Sequence, residues 1–125
     1  MNRYRTVLEG SLQLAREGNT EAAIHALESI LDGPIADDSL DWISLLARNA
    51  GVICEQRSEI DRALAFYERG LQFVPDDPML LLAAGNACAH MGKVELKDDY
   101  FGRCANATHE SPEILELLRV ARGKD

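Results

Sequence analysis

Ala50-Gly51-Val52-Ile53-Cys54 and Ala84-Gly85-Asn86-Ala87-Cys88 decide how this chain is read. Gly51 returns as Gly85 and Cys54 as Cys88, each 34 residues later. At the same offset Tyr67 returns as Phe101 and Pro78 as Pro112. A fixed period of this length marks one supersecondary unit used more than once. A unit of two helices cannot bury its apolar face alone, so neighbouring units must stack. Two helices approach closely only where side chains are small, which places Gly51 against Ala63 and Gly85 against its own partner helix. Tyr67 and Phe101 are then expected to fill the gap between successive units.

Outward from this repeat, helical periodicity runs from end to end, and strand alternation is nowhere sustained. A first helix is expected from Asn2 to Glu17, and a second, capped by Thr20, runs up to Gly33-Pro34. Proline ends it because it lacks the next backbone donor. Ser39 is expected to cap a third helix ending near Arg57, and Ser58 a fourth reaching Val74. Asp77-Pro78 and Ser111-Pro112 each pair a cap with proline at the first helical position, opening a fifth and a seventh helix. The sixth is expected over Lys93 to Ala107. Seven helices with short connections make an all-α chain. The fifth is apolar nearly all round, so it must be buried on every side.

Its 125 residues suit one domain, 1–125, with no linker composition inside. Lys plus Arg number 13 against 21 Asp plus Glu, a net charge of −8 that speaks against a general grip on nucleic acid. The longest apolar run, Met79 to Ala84, is too short for membrane insertion. Arg3 and Arg5 are followed by no apolar stretch of the kind a secretion signal carries. Three cysteines without a C-x-x-C spacing fit free thiols in a reducing compartment, so the expected location is cytoplasmic.

The sequence carries no phosphate-cradling glycine loop, no H-E-x-x-H and no G-x-S-x-G, so an enzyme is not expected, nor a cofactor. His25, His90 and His109 have no metal-ligand spacing, and Cys88 with His90 supplies too few ligands to close a metal site. Cys54, Cys88 and Cys104 read as core residues. Asp37, Asp38 and Asp41 lack the spacing of a calcium loop and read as a solvated, capping connection. Asn106-Ala107-Thr108 matches a glycosylation acceptor, but without a secretion signal the match is coincidental. Trp42 is either a staple onto the third helix or an exposed anchor for a partner.

The repeat resembles the tetratricopeptide family. That family's pattern places an aromatic, Leu-Gly and a large residue in the first helix, then alanine and an aromatic in the second, and a closing proline. The middle unit, 44–77, matches at Ala50-Gly51, Cys54, Ala63, Tyr67, Gly70 and Pro75, with Ala47 in the place of the first aromatic. The next, 78–111, matches at Leu81, Ala84-Gly85, Cys88, Phe101 and Cys104, and departs at Lys97 and His109. The first, 4–37, is looser: Val7, Gly10-Ser11, Leu14, Ala23, Leu27 and Ile30, with Pro34 one place early. Ala23 stands 40 residues before Ala63, so six extra residues fall in the acidic connection or the start of the third helix.

The resemblance implies a right-handed helical-hairpin solenoid of three tetratricopeptide-like repeats plus a C-terminal covering helix, 112–122. It further implies a concave groove lined by the first helix of each hairpin. By register those residues are Arg5, Leu8, Leu12 and Ala15, then Leu45, Arg48, Asn49, Val52 and Glu55, then Met79, Leu82, Ala83 and Asn86. The places that form a carboxylate clamp in one subset of the family hold Leu8, Leu12, Asn49, Met79 and Ala83, so that clamp is missing here. An apolar floor of Leu8, Leu12, Leu45, Val52, Met79 and Leu82 is expected instead, with Arg5, Arg48 and Asn86 orienting a ligand. The expected function is a protein–protein interaction module (adaptor, assembly factor or small chaperone) that binds an apolar peptide or helix. The alternative is a self-associating module whose groove or edge forms a homodimer.

Overall fold

The computed structural model describes residues 2–107 and 111–123; Thr108 and His109, singled out above, lie outside them. The described residues form seven α-helices and no strand: α1 (Arg3–Arg16), α2 (Thr20–Asp32), α3 (Leu40–Gln56), α4 (Ile60–Phe73), α5 (Pro78–His90), α6 (Val94–Ala107) and α7 (Pro112–Arg122). A short 3-10 turn, Asp37–Ser39, lies in the acidic connection before α3. None of these helices is long and apolar enough to cross a membrane.

Helices adjacent in sequence pack on one another, α1 on α2, α3 on α4 and α5 on α6 most extensively. The helices α1, α3 and α5 also touch in that order, and α7 lies against both α5 and α6. The apolar α5 packs on α3, α4, α6 and α7, yet it is not buried on every side as expected: Met79, Ala83 and Asn86 are half-buried and Ala89 is exposed. Its start follows from Asp77, whose carboxylate accepts the amides of Met79 and Leu80 at 3.0 and 3.1 Å, with Pro78 in the first turn.

One turn geometry closes all three pairs. The amides of Asn19, Glu59 and Lys93 donate to the carbonyls of Leu14, Cys54 and Cys88 at 2.8, 2.9 and 2.9 Å. This bond needs a left-handed residue just before the donor. Gly18 (φ 87°), Ser58 (φ 64°) and Gly92 (φ 71°) supply it. Two expected caps are corrected accordingly. Ser58 does not cap α4 but occupies the left-handed turn position, and the residue preceding the helix is Glu59. Thr20 is the first helical residue of α2 after Asn19, and its hydroxyl accepts from Arg57 at 2.6 Å. Ser39 does precede α3, but its side chain makes no capping bond.

The glycine contacts also differ from expectation. A Cβ on Gly51 would lie 2.2 Å from Tyr67 Cε1, and one on Gly85 would lie 2.3 Å from Phe101 Cε1. Each ring therefore rests on the glycine of its own pair, and the atoms nearest Gly51 belong to Tyr67. The seam between pairs is closed by Gly70, against Leu80 of α5 and Ala47 of α3. The first pair has Ser11 and Leu27 at the matching places, both buried. Cys54, Cys88 and Cys104 are fully buried, and burial raises all three thiols, Cys54 to about 11. Trp42 is half-buried and packs on the core.

Charged side chains tie α2 to α4 and to the turn that precedes it. Arg62 meets Glu21 at 2.9 Å and Arg57 meets Glu21 at 3.3 Å, while Arg69 pairs with Asp32. The Arg62 hydrogen bond holds the Glu21 carboxyl below its ordinary value.

Candidate functional site

On α3, Ile43, Ser44, Leu46, Ala47, Ala50, Gly51, Ile53 and Cys54 are buried. The stripe left over is Leu45, Arg48, Asn49, Val52 and Glu55, half-buried except for Val52, which is 39% exposed. These positions are three or four residues apart and so share one face. The amide of Asn49 donates to the Leu45 carbonyl at 2.8 Å, which keeps that side chain along its own helix.

The matching stripe of α5 holds Met79, Ala83 and Asn86, half-buried, and Leu82, buried at 6% exposure. Leu82 is thus nearly covered, and a charge placed there would disturb the core. On α1, Leu8, Leu12 and Ala15 are half-buried, and Leu8 packs against the core. Arg5 is exposed and engaged by Glu9 at 3.0 Å, which weakens it as a group for orienting a ligand.

A cavity of about 580 Å³ brings part of this set together. Its walls are Glu55 of α3, Leu82, Asn86, Ala89 and His90 of α5, and Leu117, Val120 and Ala121 of α7. Of the thirteen groove positions expected by register, Glu55, Leu82 and Asn86 line it. The α7 residues were not foreseen as part of a site. Their signal is the density of apolar positions in α7, namely Ile114, Leu115, Leu117, Leu118, Val120 and Ala121. That set is wider than one buried stripe requires. Leu118 is buried and Ile114 and Ala121 pack on the core, whereas Leu117 and Val120 remain 48% and 43% exposed.

Glu55 is held in place from below. The hydroxyl of Tyr67, whose ring covers Gly51, donates to Glu55 Oε1 at 2.9 Å. Burial, and then this carboxylate, push the Tyr67 phenol far above its ordinary value, so it stays a donor. No cation among the described residues pairs with Glu55. Cys88 is buried while the nearby His90 is exposed, so the two do not face one ligand. Among the described residues no three His, Cys, Asp or Glu side chains gather as a metal site would require. No protein-family model matches this sequence, and no curated protein matches it either.

Proposed function

We propose that the chain is a right-handed solenoid of three tetratricopeptide-like hairpins, α1–α2, α3–α4 and α5–α6, closed by α7. In this reading it is a cytoplasmic protein-interaction module without catalysis of its own, an adaptor, assembly factor or small chaperone. It takes an apolar peptide or helix on the face made by α1, α3 and α5. The observation that carries the reading is the cavity in which Leu82 and Asn86 of that face meet Leu117 and Val120 of α7. Its size falls within the range of roughly 300–1,000 Å³ in which small ligands or side chains are enclosed. The recurrence of one turn and one glycine–ring contact supports the hairpin register. The exposed apolar residues Leu115, Leu117 and Val120 favour a second reading, in which another copy covers α7.

A neutral amphipathic peptide of leucine and glutamine, with leucines three and four residues apart, tests the first reading. Leu12→Glu and Val52→Glu put a carboxylate on the face without opening the core, and desolvating it on binding is costly. The peptide should bind the parent, and each variant should bind at least about tenfold more weakly, equivalent to about 1.4 kcal/mol. Melting temperatures should stay within a few degrees of the parent. Unchanged binding by both variants, or no binding by the parent, defeats the reading. Light scattering that shows a dimer dissociated by Leu117→Glu establishes the second.

A further inference from the structure

Five of the eight residues that line the cavity between α3, α5 and α7 are apolar, and one is a carboxylate, Glu55. Tyr67 fixes that carboxylate through Oε1, which leaves Oε2 without a cation among the described residues. Arg48 lies seven residues earlier on the same helix, and its charge reaches the Tyr67 phenol without forming an ion pair with Glu55. His90, the other titratable group on the wall, is an exposed imidazole. The other apolar wall positions are small or aliphatic: Ala89, Leu117, Val120 and Ala121. The chain as a whole is acidic at −8, which attracts a basic partner from a distance.

We infer that the occupant of this cavity is a peptide segment in which a lysine or arginine accompanies the apolar side chains, the cation pairing with Glu55. The inference rests on the interaction reading above and adds the charge of the partner. The register separates a positioned charge from a merely acidic surface. Ala89 stands 34 residues after Glu55 and Phe101 34 after Tyr67, so in the next hairpin the hydroxyl and the carboxylate are both missing. Among the described residues the wall therefore offers one anionic position, and a ligand must bring its cation to that place.

The test uses three forms of one amphipathic peptide with identical leucine positions and with glutamine, lysine or glutamate elsewhere. Binding is measured by fluorescence anisotropy at 150 mM salt. The lysine form should bind the parent at least about tenfold more tightly than the glutamine form, and the glutamate form most weakly. Glu55→Gln keeps an acceptor for the Tyr67 hydroxyl and removes the charge. It should erase most of the lysine advantage and leave the glutamine form nearly unchanged. Asp61→Asn removes one charge from an exposed position of α4 outside the cavity wall, and it should leave all three peptides unchanged. If Glu55→Gln and Asp61→Asn behave alike, the attraction is general and the inference fails. It fails also if the glutamate form binds as tightly as the lysine form, while the groove reading survives in that case. If no form responds to Val52→Glu or Leu12→Glu, the groove reading itself is lost.

Discussion

The middle pair, α3–α4, and the following pair, α5–α6, solve one packing problem with different side chains. In both, an aromatic ring sits on a glycine of the first helix. In the middle pair the ring is Tyr67 and its hydroxyl meets Glu55; in the next it is Phe101, with Ala89 at the matching place. Where the middle pair has the fully buried Ala63, the next has Lys97, 7% exposed, with its ammonium 3.8 Å from Asp98. A lysine so buried needs a carboxylate near its charge, and Asp98 provides one. The middle pair meets the preceding one through ion pairs of Arg57, Arg62 and Arg69, whereas α6 exposes Val94 and Leu96. Ring against glycine is thus the shared requirement, and the polar groups around it differ between the two pairs.

Removing either ring should have the largest effect. Tyr67→Ala and Phe101→Ala each open a cavity in a fully packed place and should cost about 3–5 kcal/mol in urea unfolding. A loss below about 1 kcal/mol at either site would break the equivalence. Alkali should act next. The Cys54 thiol keeps its proton to about 11 in the folded chain, against an ordinary value of 9. A raised value gives stability that is complete below pH 9 and is lost as the pH climbs from 9 through 11. For this thiol the loss is on the order of 2–3 kcal/mol. Tyr67 and Tyr100, also raised by burial and by carboxylate acceptors, add to the decline above pH 10. Unfolding measured at pH 7, 9 and 10.5 should show it, and Cys54→Ala should flatten the first part.

The hydroxyl–carboxylate difference can be transplanted. Phe101→Tyr alone adds a hydroxyl with no carboxylate to receive it and should cost about 1–2 kcal/mol. Adding Ala89→Glu should recover most of that, and a pair no better than the single change would separate the two residues. The smallest effect concerns the turns. Ser58 holds the left-handed conformation that glycine holds in the other two pairs. Ser58→Gly should therefore stabilise by about 1 kcal/mol, whereas Gly92→Ser should destabilise by a similar amount. Both are read from the unfolding midpoint.

The repeat was legible because its signals are spacings, and Gly51, Tyr67, Gly85 and Phe101 keep theirs. What each glycine touches was not legible, since spacing alone does not tell Ala63 from Tyr67 as its neighbour. Serine at 58 read as a cap because its common role in sequence is to accept from a helix start, and only the backbone reveals φ 64°. Part of the site was visible too, because register assigns one face to α1, α3 and α5. The contribution of Leu117 and Val120 was hidden, since α7 stands outside the 34-residue period that orders the rest. The acceptor role of Glu55 needs the Tyr67 hydroxyl in three dimensions and leaves no pattern in one copy of the repeat.

The central claim, that each ring dictates the glycine beneath it, is tested most directly by a double-mutant cycle in urea. Gly51→Ala should destabilise the parent by about 1–3 kcal/mol, because the new methyl meets a buried ring. In the Tyr67→Ala background the same change should stabilise by up to about 1 kcal/mol, since alanine is the better helix former once the ring is gone. The sign should reverse in the same way for Gly85→Ala with Phe101→Ala. A Gly51→Ala effect of one sign and similar size in both backgrounds would contradict the account.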